Sequence, residues 1–175
     1  MLLALILGPP CVPAALAETP EPTGYRDHDY HAPTPATLRG ARVVSTEEAH
    51  RLWRDRAAIF IDVMPRVARP PNLPPHILWR GKHRENIPGS AWLPDVGFGG
   101  LSPETDAYFR RALARLTGDD RTRLLLFYCM TDCWMSWNAA KRALEYGYAN
   151  VAWYAEGADV WSFMGLPLEV DEPEP

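Results

Sequence analysis

The sequence predicts an α/β fold in which a parallel sheet carries helices on both faces. Three observations predict it. Short apolar runs alternate with amphipathic stretches of helical spacing along the chain, the order expected of a parallel sheet built from crossover units. The run Leu124-Leu-Leu-Phe-Tyr128 is apolar or aromatic throughout, as a strand covered on both faces must be. The helical stretches also carry their own start and stop residues, which fixes where strand gives way to helix.

Val43-Val44 supplies a short first strand. Ser45-Thr-Glu-Glu48 follows as a capping box, Ser45 at the N-cap and Glu48 reaching back, ahead of a helix that buries Ala49, Leu52 and Trp53. Ala57-Ala-Ile-Phe-Ile-Asp62-Val63 reads as a second buried strand that ends in an acid. The segment from Met64 to Glu85 is long, rich in proline and irregular, and carries His76, Trp79 and His83. Asn86 to Leu93 reads as a turn into a short strand. Ser102-Pro103 starts a helix with serine at the N-cap and proline at the first helical position. Its apolar positions Tyr108, Phe109, Leu113 and Leu116 recur at helical spacing, and Gly118 stops it. Strand 124–128, a loop with two cysteines and a helix over 136–146 come next, the helix ending at Gly147. Asn150 to Tyr154 is a further strand, and Glu156 to Trp161 leads into a short helix that ends at Gly165-Leu-Pro.

Outside this alternation lie three segments. Residues 1–17 carry no charge and end in Ala15-Leu16-Ala17 before Glu18, a small-x-small pattern that reads as a secretory signal peptide, although no basic residue precedes Arg26. The run falls short of the roughly 20 residues of a membrane span and is broken by Pro9, Pro10 and Pro13. Residues 18–40 form a proline-rich arm in which His28 and His31 stand among acids. Either it lies across the domain as a polar strap or it offers part of a metal site; no further ligand cluster in the sequence supports the second. Residues 41–168 are the domain, and 169–175 an acidic tail. With a formal net charge of -4 and basic residues scattered over 175 positions, the chain has no nucleic-acid footprint.

The chemistry concentrates at Cys129-Met130-Thr131-Asp132-Cys133-Trp134-Met135-Ser136-Trp137. A thiol between the C-terminal end of a buried strand and the first turn of a helix sits among unpaired backbone N–H groups, which favour an anionic sulfur. The amides of residues 131 to 134 are expected to converge on Cys129. If the leader is removed, Cys129 and Cys133 are the remaining cysteines. Their spacing admits a nucleophile with a resolving thiol, a static disulfide, or two inert buried thiols. Asp62 is expected at the same edge of the sheet, where open α/β sheets bind ligands, or else as the cap of a loop N–H. Trp134 and Trp137, with Trp79 and Trp92, offer an aromatic wall or simply core. No cofactor or metal is assigned.

Taken together, Ile61-Asp62-Val63, Ile87-Pro88-Gly89-Ser90-Ala91, the strand–Cys129–loop–helix unit with Ala139-Ala140, Gly147-Tyr148-Ala-Asn-Val151, Glu156-Gly157…Trp161 and Gly165-Leu-Pro resemble a single rhodanese-like domain. The resemblance implies that Cys129 accepts a sulfane sulfur and holds it as a persulfide cradled by backbone amides. Two positions depart from the family's active loop. Where it usually has glycine and arginine, three and five residues after the cysteine, this chain has Asp132 and Trp134. Without that arginine, and with an acid nearby, binding of a small anionic donor such as thiosulfate is disfavoured. A finer similarity, carried by Tyr128-Cys129…Asp132-Cys133-Trp134-Met-Ser-Trp137-Asn-Ala-Ala, Trp92-Leu-Pro94 and Asp159-Val-Trp161, is to exported rhodanese-like proteins with a Cys-Trp motif. These are associated with catabolism of alcohols that depends on pyrroloquinoline quinone (PQQ). It implies a periplasmic location, a small sulfur or thiol substrate, and a PQQ-dependent dehydrogenase or its c-type cytochrome as partner. The rival reading is a non-catalytic accessory module that uses the degenerate pocket to dock a partner of the oxidising system.

Overall fold

The computed structural model describes residues 19–67, 69–79 and 83–175. The signal peptide expected over residues 1–17 lies outside them. Five parallel strands form the central sheet: β1 (Arg42–Val43), β2 (Ile59–Asp62), β4 (Ala91–Trp92), β5 (Leu125–Tyr128) and β6 (Val151–Tyr154), in the order β1-β6-β5-β2-β4. The strand that precedes the cysteines is thus the middle one. Its side chains alternate between two cores. Leu125 and Phe127 face the layer made by α2 (Pro103–Thr117) and α3 (Trp134–Glu145), while Leu126 and Tyr128 face the layer of α1 (Thr46–Arg54) and α4 (Gly157–Phe163). Helices therefore cover both faces, as the unbroken apolar run requires.

Local signals explain the element ends. Ser45 caps α1 by accepting the N–H of Glu48, and Ser102 caps α2 by accepting that of Thr105. Gly118 closes α2 in the left-handed conformation, at φ 63°, where a side chain is penalised. The capping box is only half made. The Glu48 carboxylate pairs with Arg42 at 2.9 Å and approaches Arg51 at 3.7 Å, since charged partners within reach hold it more strongly than a backbone N–H does. Trp53 is half-buried, its indole N–H donating to the Pro88 carbonyl at 2.8 Å.

A second sheet was not expected. β3 (Arg84–Asn86) pairs antiparallel with β7 (Glu169–Asp171), so the stretch read as an acidic tail begins with a strand. Beyond it, the Glu174 N–H donates to the Trp92 carbonyl and its side chain pairs with Arg115. Among the described residues no helix is long and apolar enough to cross a membrane.

Candidate functional site

Cys129 follows the central strand directly, at the C-terminal edge of the sheet, and Cys133 occupies the N-cap position of α3. The two are joined by a disulfide, with Cα atoms 6.2 Å apart. A helix holding both would set their Cβ vectors side by side. The chain instead turns over residues 130–132, with Asp132 at φ 54°. Aspartate is among the few non-glycine residues that tolerate left-handed backbone. The helix begins at Trp134, two residues earlier than expected. Met130, Thr131 and Asp132 therefore form the loop proper, whereas Trp134, Met135 and Ser136 belong to the first turn of α3.

The expected amide cradle is incomplete. The Thr131 N–H donates to the Asp159 carboxylate at 2.8 Å. The Trp134 N–H donates to the Tyr30 carbonyl at 2.9 Å. Both N–H groups are thus taken up by oxygen acceptors rather than left free for Cys129 Sγ. On one side the β6–α4 corner grips the loop. Ala158 donates to the Cys129 carbonyl at 3.0 Å, and Thr131 Oγ1 donates to the Glu156 carbonyl at 2.7 Å. Gly157, at φ 67°, packs so tightly that a Cβ there would lie 2.4 Å from Met130 Cα.

On the other side lies the N-terminal arm. Ala32 donates to the Asp132 carbonyl at 3.0 Å, and His31 bridges antiparallel to Cys133. The arm is thus a strap over the loop rather than a free tail. Fully buried Asn138 fixes it through bonds to both the N–H and the carbonyl of Arg26. The Arg26 guanidinium lies 5.3 Å above the Trp134 ring, and the Trp137 indole donates to the Thr37 carbonyl at 3.1 Å. Trp134 and Trp137 are buried, packed edge to face, and serve as core and as seat for the arm; Trp134 also lines a groove of about 280 Å³ formed with Pro20, Pro22, Tyr25 and Arg26 of the arm. Trp79 donates to Val67 inside its own loop. His28 pairs with Asp27. Among the described residues no three His, Cys, Asp or Glu side chains form a metal-binding group.

Asp62 is fully buried and accepts the Met64 N–H at 2.9 Å. It lies across the sheet from Tyr128, the residue before Cys129. Its other oxygen takes a charge-assisted bond of 2.7 Å from Arg84 Nε. Burial pushes its pKa above the usual aspartate value, against the opposing pull of Arg84 and the Met64 N–H. Arg84 was not foreseen. Its Nη2 lies 3.5 Å from the Cys129 carbonyl, which places a guanidinium beside the cysteine although position 134 lacks one. Nothing in the polar run Arg84-Glu85-Asn86 distinguishes it. The one available signal was that an acid at the end of a buried strand requires a counter-charge. Arg84 and His83 line one wall of a groove of about 280 Å³ whose other walls include Met130, Asp159 and Leu168. Met64 reaches the disulfide from the side of β2, its Sδ 3.3 Å from Cys129 Sγ.

No protein-family model and no curated protein matches the chain. Solved structures do. Thiosulfate sulfurtransferase from Pseudomonas aeruginosa aligns with a TM-score of 0.52 at 21% identity, over 78% of this chain and 21% of that one. A variant of EanB, in complex with ergothioneine covalently linked with a persulfide cysteine, aligns with a TM-score of 0.52 at 22% identity, over 82% of this chain and 34% of its own. The chain thus corresponds to a minor part of each, and what it shares with them is the rhodanese-like fold.

Proposed function

We propose that the domain performs thiol redox or sulfane-sulfur transfer at Cys129 and Cys133, and that it acts in the periplasm in support of PQQ-dependent alcohol oxidation. The observation that carries the chemistry is the disulfide closed between the end of the central strand and the N-cap of α3. That edge of an open α/β sheet is where ligands bind. The location and the quinoprotein partner rest on the residues 1–17 and on the Cys-Trp motif.

Opening begins when an incoming thiolate attacks Cys133 Sγ, since Cys133 retains slight exposure and Cys129 none. The S–S bond breaks, Cys129 leaves as thiolate, and a second thiol releases Cys133, two electrons and two protons having been taken from the reductant. In the reduced protein the Cys129 thiolate attacks the outer sulfur of a persulfide donor R–S–SH, expelling RS⁻. Cys133 then attacks Cys129 Sγ, expelling HS⁻ and restoring the disulfide. The groove beside Met130 is the approach for a small sulfur or thiol substrate.

The test uses protein purified without reductant. After mild reduction both thiols should alkylate, and glutathione persulfide should restore the disulfide with one sulfide released. Failure of either thiol to react in the folded protein overturns this reading. The alternative would then stand: an accessory module that docks a partner of the oxidising system through a degenerate pocket. That reading is favoured by the two diverted amides and the strap over the loop. N-terminal sequencing of the periplasmic protein should begin at Glu18; intact Met1 in the cytoplasm would remove the proposed location.

A further inference from the structure

We propose that the reduced Cys129–Cys133 pair and Met64 form a three-sulfur site for a soft monovalent cation, Cu(I). This rests on the same two thiols as the proposed function, but not on sulfur transfer. The juxtaposition that carries it is the Met64 thioether, 3.3 Å from Cys129 Sγ, in a place where Cys129 is fully buried. Because Cys133 Sγ is bonded to Cys129 Sγ, the three sulfurs form one contiguous cluster, which the two thiols released by reduction would close around a single ion.

Met64 is held as a ligand should be. Its N–H donates to Asp62 Oδ1 at 2.9 Å, and its carbonyl accepts the Trp92 indole at 2.7 Å. The preceding Val63 N–H is tied to the Tyr128 carbonyl at 3.1 Å. The backbone that carries the thioether is therefore fixed to the sheet, ahead of the irregular loop. Filling a gap against a disulfide requires volume but not sulfur, and leucine would serve.

Donor type selects the ion. Thiolate and thioether are soft ligands. A structural zinc site wants four donors, whereas Cu(I) is satisfied by two or three sulfurs. Binding balances as two thiols plus Cu⁺ giving a bis-thiolate complex of charge −1 and two protons released. The Arg84 guanidinium, 3.5 Å from the Cys129 carbonyl, is the neighbouring positive charge. The disulfide must first take two electrons from a thiol reductant, so the ion and the disulfide exclude one another. Met64 is half-buried, whereas both cysteines are buried, so an ion would enter from the Met64 side.

The experiment takes the whole chain, reduced with dithiothreitol and desalted under argon, and titrates it with Cu(I)–bicinchoninate. One equivalent should pass to the protein, and X-ray absorption should show three sulfur neighbours. Met64→Leu should leave both thiols open to alkylation, show two sulfur neighbours, and bind more weakly. Even an outer partner of a metal ligand commonly contributes about tenfold in affinity, so losing a ligand should lower it by at least that factor. Cys129→Ser should abolish transfer, and Zn(II) should not compete. If both thiols alkylate but no copper leaves the chelator, the ion assignment is overturned while the thiol chemistry stands. Unchanged affinity in Met64→Leu reduces Met64 to packing. A disulfide that resists reduction in the folded state overturns both.

Discussion

The two sulfurs of the disulfide are held by different parts of the molecule. Cys129 sits in the domain itself: at the end of the central strand, against Met64, with Ala158 on its carbonyl and the Asp62–Arg84 pair beside it. Cys133 is the N-cap of α3, its carbonyl accepting from Ser136 Oγ at 3.0 Å, and it is held from outside the alternating α/β unit as well. Its neighbours Asp132 and Trp134 bond to Ala32 and Tyr30 of the arm. Of the two cysteines, Cys133 is the one whose flanking residues are bonded to the arm, so loosening the arm should bear on Cys133 before Cys129.

The largest effect is expected on the Cys129 side. Arg84→Ala leaves the buried Asp62 carboxylate unpaired, and breaking a buried pair from one side costs about 3–5 kcal/mol. The pH dependence has a definite sign. An acid whose folded pKa is raised contributes stability below its unfolded value, and that contribution is lost as pH rises through the folded value. In the wild type this loss runs upward from the ordinary aspartate range near 3.8 to the raised folded value. Without Arg84 the folded value rises further, so the loss extends to higher pH. Urea unfolding should show a deficit that is small at pH 4 and large at pH 8. An equal deficit at both would mean that Asp62 does not couple to Arg84.

Gly157→Ala tests the same side through packing. The new Cβ would meet Met130 Cα at 2.4 Å in a backbone at φ 67°. Strain at such a backbone and overpacking each typically cost about 1–3 kcal/mol, so a loss of about 3 kcal/mol in thermal or urea unfolding is expected. A loss below about 1 kcal/mol would show that the Cys129 side gives way as readily as the arm does.

This division also explains what the sequence discloses. Ser45, Ser102, Gly118 and the run Leu124–Tyr128 act through neighbours a few residues away, so their consequences are readable in one dimension. The bond from Arg84 to Asp62 joins residues 22 apart in sequence across a proline-rich loop, and β3 pairs with β7 some 85 residues on. Polar triplets such as Arg84-Glu85-Asn86 show no alternation that would mark a strand. The diverted amides of Thr131 and Trp134 were illegible for the same reason. Their acceptors, Asp159 and Tyr30, come from a distant corner and from the arm. The cysteine position could be read locally; its surroundings could not.

Asn138→Ala breaks the arm's hold from the other side. It removes the bonds to Arg26 N, Arg26 O and Gly97 O. A buried polar group left without its partner costs about 1–3 kcal/mol, and the arm should loosen more than the sheet. In the reduced protein Cys133 should then alkylate several-fold faster, while Cys129 changes little. Equal acceleration of both thiols would show that the arm shields the pair as a unit.

The smallest expected effect separates charge from backbone at Cys133. Asp132 stands at φ 54°, where a glycine is free of the Cβ penalty. Asp132→Gly relieves that penalty, but it also gives the unfolded chain more conformations to lose, an opposing contribution of about 0.4–1 kcal/mol. Because the two nearly cancel, stability should change by less than about 0.5 kcal/mol, the range of an uneventful surface substitution. The Asp132 carbonyl can still accept from Ala32, so the arm should stay seated. What changes is charge: a carboxylate beside Cys133 disfavours a thiolate there, and its removal should speed alkylation of Cys133 relative to Cys129. Asp132→Asn, which removes the charge and keeps the side chain, should reproduce the acceleration. If Asn leaves the rate where it was and only glycine raises it, backbone mobility rather than charge sets the reactivity of Cys133, and the difference between the two sulfurs is mechanical.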